Sequence, residues 1–555
     1  MNAADAFVAT LRAAEVELLF GLPGSTEAAL LEALRADGQL RYVLALQEGA
    51  AVAMADGYAR ASGRVGVVGL HTTVGTMNGM SQMYNAYRDG SPVVVTAGHK
   101  DRRVLAEDGF CAFPDLPSLL RPFTKWSWQS LSADAVASDL ARALRVAAAP
   151  PPGPTYLAVP EDLLAEPLEE RSPAPAVWPA LTAPDHGFLP RADPAMVQRA
   201  ATLLLSARRP LLVLGSATAG AAAPARVLAE MLEMPVVIAD RTDLSTLPYP
   251  VSDERYVGAY GEEREALQNC DCVLAVGCRL FFPFSDRRRP HLPPRARLIH
   301  VHPDAERIGW SARPDVALLA DAASALRDLA SAVVALGGIE RAAAAERAAH
   351  VATLVRNRQE RLRAERESVL QSEPISVPRF AVELGRALPP DAIVMDESVR
   401  SSRAIMAHCP FPEGVTVHST SGGSLGWGVP AAIGAKLARP VRPVLALVGD
   451  GSFHFTAQAL WTAAREHAGT VTIILDNGGY LAVKRAIEAH VGASHEGHPH
   501  PGTAIPALDH AGVAAGYGAR GTIVRHPEEI APAVERSFEA DVPAVIVVPV
   551  EEARR

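Results

Sequence analysis

The 555-residue chain has little of what marks a secreted, membrane-bound or nucleic-acid-binding protein. It carries five cysteines, an odd and sparse number that does not build a disulfide framework in so long a chain. Cys270, Cys272 and Cys278 lack the paired Cys-x-x-Cys spacing of a zinc site. Cys272 and Cys278 bracket the apolar run Val273–Val276, where cysteine serves as a small core residue. No apolar stretch approaches the ~20 residues that cross a bilayer, and Met1–Asn2–Ala3–Ala4–Asp5 has neither the basic start nor the apolar centre of a secretory leader. A cytoplasmic location is expected. The net charge is −9, and the basic run Arg287–Arg288–Arg289 sits among prolines without interleaved aromatics, so neither nucleic acid nor a membrane is an expected partner.

What is present is globular usage, with 49% apolar and 21% charged residues, in a chain too long for one core. Short β-branched runs, Gly-rich turns and Ala/Leu-rich amphipathic segments alternate, which predicts an α/β protein of three domains, each a doubly wound, mostly parallel sheet. The expected division is 1–170, a Pro-rich linker 171–194, a central domain 195–339, a connecting helix 340–372 and a last domain 373–555. Val65–Gly98 and Val444–Asn477 are βαβ units of equal length, a hint that the first and last domains share a topology.

The most informative segment pairs two strand ends. Gly449–Asp450–Gly451–Ser452 closes the run Val444–Val448, and Asp476–Asn477–Gly478–Gly479 closes Thr470–Leu475. A carboxylate and an amide oxygen thus leave the carboxyl ends of two parallel strands, where open α/β sheets bind ligands. The glycines let backbone N–H groups approach phosphate, and the two side-chain oxygens suit a hard cation such as Mg2+. The plainer reading of each motif alone is a tight turn. Far away, Arg41–Glu48 reads as a strand ending in an acid before the small-residue helix Gly49–Ala61. A carboxylate among Ala and Val is suited to sharing a proton, whereas the plainer reading is a helix-N-terminal Glu.

Gly-Asp-Gly followed at this distance by an Asn is similar to the diphosphate-and-magnesium motif of the thiamine diphosphate enzymes. Here Asp476–Asn477 stands where the family usually has Asn–Asn, so the first member departs and the ligating one is kept. The segments Pro23–Gly24–Ser25, Leu46–Gln47–Glu48, Leu70–His71–Thr72 with Gly75 and Asn78, and Gly451–Ser452 through Ala459–Ala464 resemble the 2-oxo acid decarboxylases and lyases of the benzoylformate decarboxylase type, over essentially the whole chain. The resemblance implies thiamine diphosphate and Mg2+ as cofactors. Asp450, Asn477 and the Gly479 carbonyl would hold the metal, and Gly449, Gly451 and Ser452 would line the diphosphate. Glu48 would activate the cofactor's aminopyrimidine, and Leu425 would lie under its rings and force them into a bent form.

On the same resemblance Ser25 touches the substrate carboxylate and His71 relays protons. The plainer alternatives are a helix N-cap for Ser25, a loop histidine for His71 and ordinary core for Leu425. The reaction implied is non-oxidative decarboxylation of a small-molecule 2-oxo acid through a C2 carbanion and an enamine. A homodimer or homotetramer is implied, with active sites at the subunit interface.

Two departures stand out. Phe284 falls where the family has a second histidine, with His291 a candidate substitute, and Ala486 replaces an expected aromatic. Alternatives are a carboligase of the acetolactate synthase kind, although Leu70–Gly75 lacks the Gly-Pro-Gly usual there; a 2-hydroxyacyl-CoA lyase; and a non-catalytic relative, against which the joint presence of Glu48, Asp450 and Asn477 argues. His495, His498 and His500 read as a solvated loop. Gly215–Gly220 opens a helix after a strand but lacks G-x-G-x-x-G, which disfavours a dinucleotide in the central domain.

Overall fold

A computed structural model describes residues 1–168, 177, 189–218, 220–240, 243–260, 264–280, 292–491, 500–505 and 508–551. The chain folds as two compact units. One comprises Met1–Gly187, Ala392–Ser402 and Gly422–Arg555; the other comprises Phe188–Asp391 and Arg403–Ser421.

The first sheet is built from β1 (Leu18–Gly21), β2 (Arg41–Leu44), β3 (Gly66–His71), β4 (Val93–His99), β5 (Trp126–Gln129) and β6 (Thr155–Pro160), in the order β2-β1-β3-β4-β6-β5. The central sheet takes β7 (Pro210–Leu214), β8 (Val236–Ile238), β9 (Tyr256–Ala259), β10 (Cys272–Val276), β11 (Arg297–His302) and β12 (Val316–Leu319), in the order β12-β11-β10-β7-β8-β9. A third sheet takes β13 (Ile393–Glu397), β14 (Thr416–Ser419), β15 (Val444–Gly449), β16 (Val471–Asp476), β17 (Arg520–Ile523) and β18 (Ala544–Pro549), in the order β14-β13-β15-β16-β18-β17. Pairing is parallel, for example β3 with β4 and β15 with β16. Counted within each sheet, the first and third share one strand order, as the equal βαβ units suggested. The central sheet follows 3-2-1-4-5-6, the order of dinucleotide-binding folds. The glycine that opens its first turn serves packing, however. A Cβ on Gly215 would collide with Cys278 and the Gly277 carbonyl, so this residue lets two loops lie on each other.

In the first unit the helices Glu48–Ser62 and Gly428–Ala438 approach until backbones touch. A Cβ on Gly57 would overlap the Ala431 carbonyl, and one on Gly434 the Met54 carbonyl. Ala50, Ala51, Ala53 and Ala55 on one helix and Ala431, Ala432 and Ala435 on the other are fully buried. Small residues dominate because larger ones would hold the helices apart.

Two sequence expectations are corrected. The strand before Glu48 stops at Leu44, and Glu48 is the first residue of its helix, where Gln47 is the N-cap and its Oε1 accepts the Ala50 N–H at 2.8 Å. Ser25 is not an N-cap: it opens a 3-10 turn, Ser25–Glu27, and the following helix is Ala28–Asp37. The connecting helix spans Arg341–Ser368. Among the described residues no helix is long and apolar enough to cross a membrane. Cys270, Cys272 and Cys278 are buried thiols whose pKa burial pushes up to about 12, a poor setting for metal thiolates.

Candidate active site

The first cluster forms where β3 ends. His71 is its last residue, and Thr72, which opens the helix Thr72–Asp89, adopts φ +34°. A β-branched residue rarely takes a positive φ, and such strain concentrates at functional positions. His71 Nδ1 lies 2.9 Å from Thr26 Oγ1 and 3.2 Å from Glu27 Oε2. The Thr26 hydroxyl donates to Glu27 Oε1 at 2.7 Å, so both neighbours of Nδ1 are acceptors. The network therefore assigns the proton to Nδ1 and leaves Nε2 as the basic nitrogen. Glu27 is held in turn by the N–H groups of Gly24 at 2.7 Å and Gly98 at 2.9 Å. Gly24 is obligatory here, because a Cβ would enter the His71 ring.

Glu48 shares this corner. Asn78 Nδ2 donates to its Oε2 at 3.1 Å. A Cβ on Gly75 would sit 3.4 Å from Glu48 Oε1 and 3.5 Å from His71 Cβ, so that glycine is the spacer between the two side chains. Ser25 is exposed next to Thr26. It also lines a cavity of about 520 Å3 whose other walls include Asp101, Glu161, Asp162 and Glu166. Carboxylates outnumber the lining cation, Arg103, on that side and disfavour an anion there.

The second cluster lies at the carboxyl ends of the paired strands β15 and β16, where Gly449 is in register with Leu475. Asp450 opens a short helical turn, Asp450–Phe453, that also carries Gly451 and the buried Ser452. Its carboxylate accepts the N–H groups of Gly451 and Gly479, yet burial, helped by the charge of Asp476, pushes its pKa up to about 6. Asp450 Oδ2 and Asn477 Oδ1 are both buried without a hydrogen-bond partner. Two unsatisfied oxygens cost about 1–3 kcal/mol each unless something binds them. A hard cation is the fitting partner, and the donor set matches Mg2+. The Gly479 carbonyl accepts the Leu481 N–H at 3.0 Å and keeps a second lone pair. Gly479 itself has φ +143° and pairs with Ala504.

Asp476, the departure from Asn–Asn, uses Oδ1 to accept the Gly478 N–H at 3.1 Å. Its Oδ2 lies 3.8 Å from His510 Nε2, and His510 Nδ1 lies 2.8 Å from His454 Nε2. The carboxylate therefore faces a histidine pair, both of whose pKa values burial lowers.

Leu425 is half-buried in the loop Gly422–Gly428, between Gly423 at φ +81° and Gly426 at φ +87°. Asn85 brackets the preceding residue, accepting the Ser424 N–H at 3.1 Å and donating to its carbonyl at 2.9 Å. No hydrogen bond or ion pair among the described residues joins Ser25, Glu48 or His71 to Asp450 or Asn477.

Sequence reasoning missed Glu27, Gln82, Asn85 and Glu397. A signal existed for Glu27, three residues after Gly24 at a helix start, and for Glu397, an acid closing an apolar strand. Phe284, His291, His495 and His498 lie outside the described residues. Ala486 is exposed on the helix Leu481–Val491.

Comparison with known proteins identifies the family. Residues 1–116 match the N-terminal TPP binding domain of the thiamine pyrophosphate enzymes, 197–329 their central domain and 401–548 their C-terminal TPP binding domain. The chain is 33% identical over 550 residues to a benzoylformate decarboxylase of Pseudomonas aeruginosa, covering 98% of this chain and 97% of that one. It is 26% identical over 556 residues to acetolactate synthase isozyme 3 large subunit of Escherichia coli K12, covering 97% and 92%. A solved thiamine diphosphate-dependent 4-hydroxybenzoylformate decarboxylase of Rhodococcus jostii RHA1 superposes with a TM-score of 0.82 at 28% identity, covering 99% of both chains. With three matching domains and near-complete coverage of such a relative, the chain belongs to the thiamine pyrophosphate enzyme family.

Proposed function

We propose that the protein uses thiamine diphosphate and Mg2+ to decarboxylate a small 2-oxo acid to an aldehyde without oxidation. The observation that carries the reading is the His71 corner: an imidazole held at Nδ1 by Thr26 and Glu27, with Gly75 lying against both His71 Cβ and Glu48 Oε1. A nonoxidative decarboxylase needs a proton donor and acceptor at its reacting carbon, and an oriented histidine meets that need.

Asp450, Asn477 and the Gly479 carbonyl hold Mg2+, and Gly449, Gly451 and Ser452 line the diphosphate. The partnerless oxygens of Asp450 and Asn477 support this assignment. Bound thiamine diphosphate supplies the nucleophilic carbon and electron sink that make loss of carbon dioxide feasible. Glu48 holds and returns a proton at Oε1 while Asn78 fixes Oε2. Ser25 donates to the substrate carboxylate on its His71 side, away from the acidic cavity. His71 takes a proton from solvent at Nε2 and delivers it to the product carbon. Leu425 supports the cofactor's rings.

The active site is shared between two chains of a homodimer or homotetramer. Support comes from the two clusters, which no hydrogen bond or ion pair among the described residues joins. Support also comes from the exposed apolar side chains around each: Leu46, Val74 and Met77 near Glu48, and Phe455 near Asp450.

The test is product analysis with cofactor, Mg2+ and a panel of aromatic, branched and short 2-oxo acids, with and without acceptor aldehyde. Aldehyde as the main product supports the reading. A 2-hydroxy ketone as the main product without added acceptor assigns carboligation, cleavage of a 2-hydroxyacyl thioester assigns a lyase, and no turnover of any substrate assigns a non-catalytic relative.

A further inference from the structure

A single peptide unit in the loop that carries Leu425 is fixed at both of its polar ends. The Leu425 carbonyl accepts the Gln82 Nε2–H at 2.9 Å, and the N–H of the same peptide, on Gly426, donates to Glu397 Oε1 at 2.7 Å. The other Glu397 oxygen accepts the Gly428 N–H, also at 2.7 Å. Gln82 comes from the helix that begins after His71, and Glu397 ends β13, in register with Val448, two residues before Asp450.

We propose that Glu397, with Gln82, is a positioning residue that sets the plane of the Leu425–Gly426 peptide and so the direction in which Leu425 projects. The proposal rests on the reading that Leu425 supports the cofactor.

Helix capping alone does not account for Glu397. A carboxylate at the start of the helix Gly428–Ala438 is favourable, and the bond to the Gly428 N–H does that work. The bond to Gly426 reaches two residues outside the helix. It lies where Gly423 and Gly426 take left-handed backbone angles and no regular structure holds the chain. The Gly426 carbonyl is secured separately by Thr456 Oγ1 at 3.0 Å. Glu397 is buried, and taking a carboxylate out of water is costly unless it makes charge-assisted bonds. Here those bonds go to the loop that carries Leu425. Fixing both ends of one peptide leaves Leu425 little freedom in ψ and Gly426 little in φ, which is what a support for a bent ligand requires.

The test combines backbone amide exchange in the cofactor-free protein with kinetics of E397Q, Q82A, L425A and the E397Q/L425A pair. In the wild type the Gly426 and Gly428 amides should exchange at least about a hundredfold more slowly than that of Gly423. E397Q, which keeps the shape but offers one acceptor for two donors, should speed exchange at Gly426 and Gly428. It should also lower kcat about tenfold with the substrate KM within about twofold. Q82A should act in the same direction. In the L425A background E397Q should lower kcat no further, because its effect runs through Leu425. Unprotected Gly426 in the wild type, unchanged exchange in E397Q, or losses that multiply in the double variant would each overturn the proposal. If E397Q fails to fold, wild-type exchange and Q82A decide it. If L425A alone keeps full activity, the reading of Leu425 fails, and with it the functional part of the proposal, while the exchange data still report whether Glu397 anchors the loop.

Discussion

The Trp427 indole N–H donates to Asp56 Oδ2 at 2.6 Å, tying the helix that starts at Glu48 to the residue that leads into the helix Gly428–Ala438. Arg60 completes the knot. It pairs with Asp56 at 2.8 Å and Asp89 at 2.7 Å, and its guanidinium lies 5.0 Å from the centroid of the Trp427 ring. All of these groups are buried. Trp427→Phe removes one donor and should cost about 1–3 kcal/mol. Asp56→Ala leaves Arg60 and the indole short of an acceptor and should cost about 3–5 kcal/mol. Thermal unfolding should rank wild type above Trp427→Phe, and that above Asp56→Ala. Equal midpoints would show that the knot contributes nothing.

Binding of the cofactor should depend on the two partnerless oxygens. In calorimetry, Asp450→Ala should abolish Mg2+-dependent binding of thiamine diphosphate, and Asn477→Ala should weaken it at least about tenfold, since it removes a neutral ligand rather than a charged one. Tight, metal-independent binding to Asp450→Ala would remove the metal assignment.

The Glu397 carboxyl should give stability a pH slope. Burial pushes its pKa up from 4.5 to about 7, opposed by the N–H groups of the loop and raised further by the charge of Asp396. The folded protein therefore holds a proton that the unfolded chain has released between those two values. Its contribution to stability is full below about pH 4.5 and is lost as pH rises through 7. Relative to Glu397→Gln, the wild type should lose stability between about pH 5 and 8 in urea unfolding. A pH-independent difference would contradict the shift.

The proposed sharing of the site between two chains makes two dead variants complementary. In a mixed dimer of Glu48→Gln and Asp450→Ala chains, one site inherits both substitutions and the other inherits neither. Unfolding and refolding equal amounts of the two together should restore about a quarter of the wild-type activity, because half of the randomly formed dimers are mixed and each has one intact site of two. Absence of any recovery, with mixed dimers demonstrated, would place Glu48 and Asp450 of one site on the same chain.

Much of the strand pattern was legible because buried parallel strands read as short β-branched runs closed by Gly, Asp or His. Val444–Gly449 and Val471–Asp476 lie where the sequence put them, and so do the residues that leave their ends. The strand before Glu48 was drawn too long because Ala45–Leu46–Gln47 continues its apolar pattern, and the Gln47 cap depends on a hydrogen bond that composition does not reveal. Gln82 and Asn85 were illegible, and so was the partner of Glu397, for a related reason. Their partners, Leu425, Ser424 and Gly426, are remote in the chain, and only the packed structure brings them together. Glu27 was hidden behind the more conspicuous Ser25, although its position three residues after Gly24 was the available clue.

The most direct test of the central claim is carbon dioxide release by Glu48→Gln under conditions where calorimetry shows thiamine diphosphate and Mg2+ bound. Glutamine keeps the shape and the contact with Asn78 but cannot hold and return a proton, so release from the best 2-oxo acid should fall by at least about a hundredfold while the cofactor stays bound. Wild-type release from the cofactor-loaded variant would contradict the role assigned to Glu48.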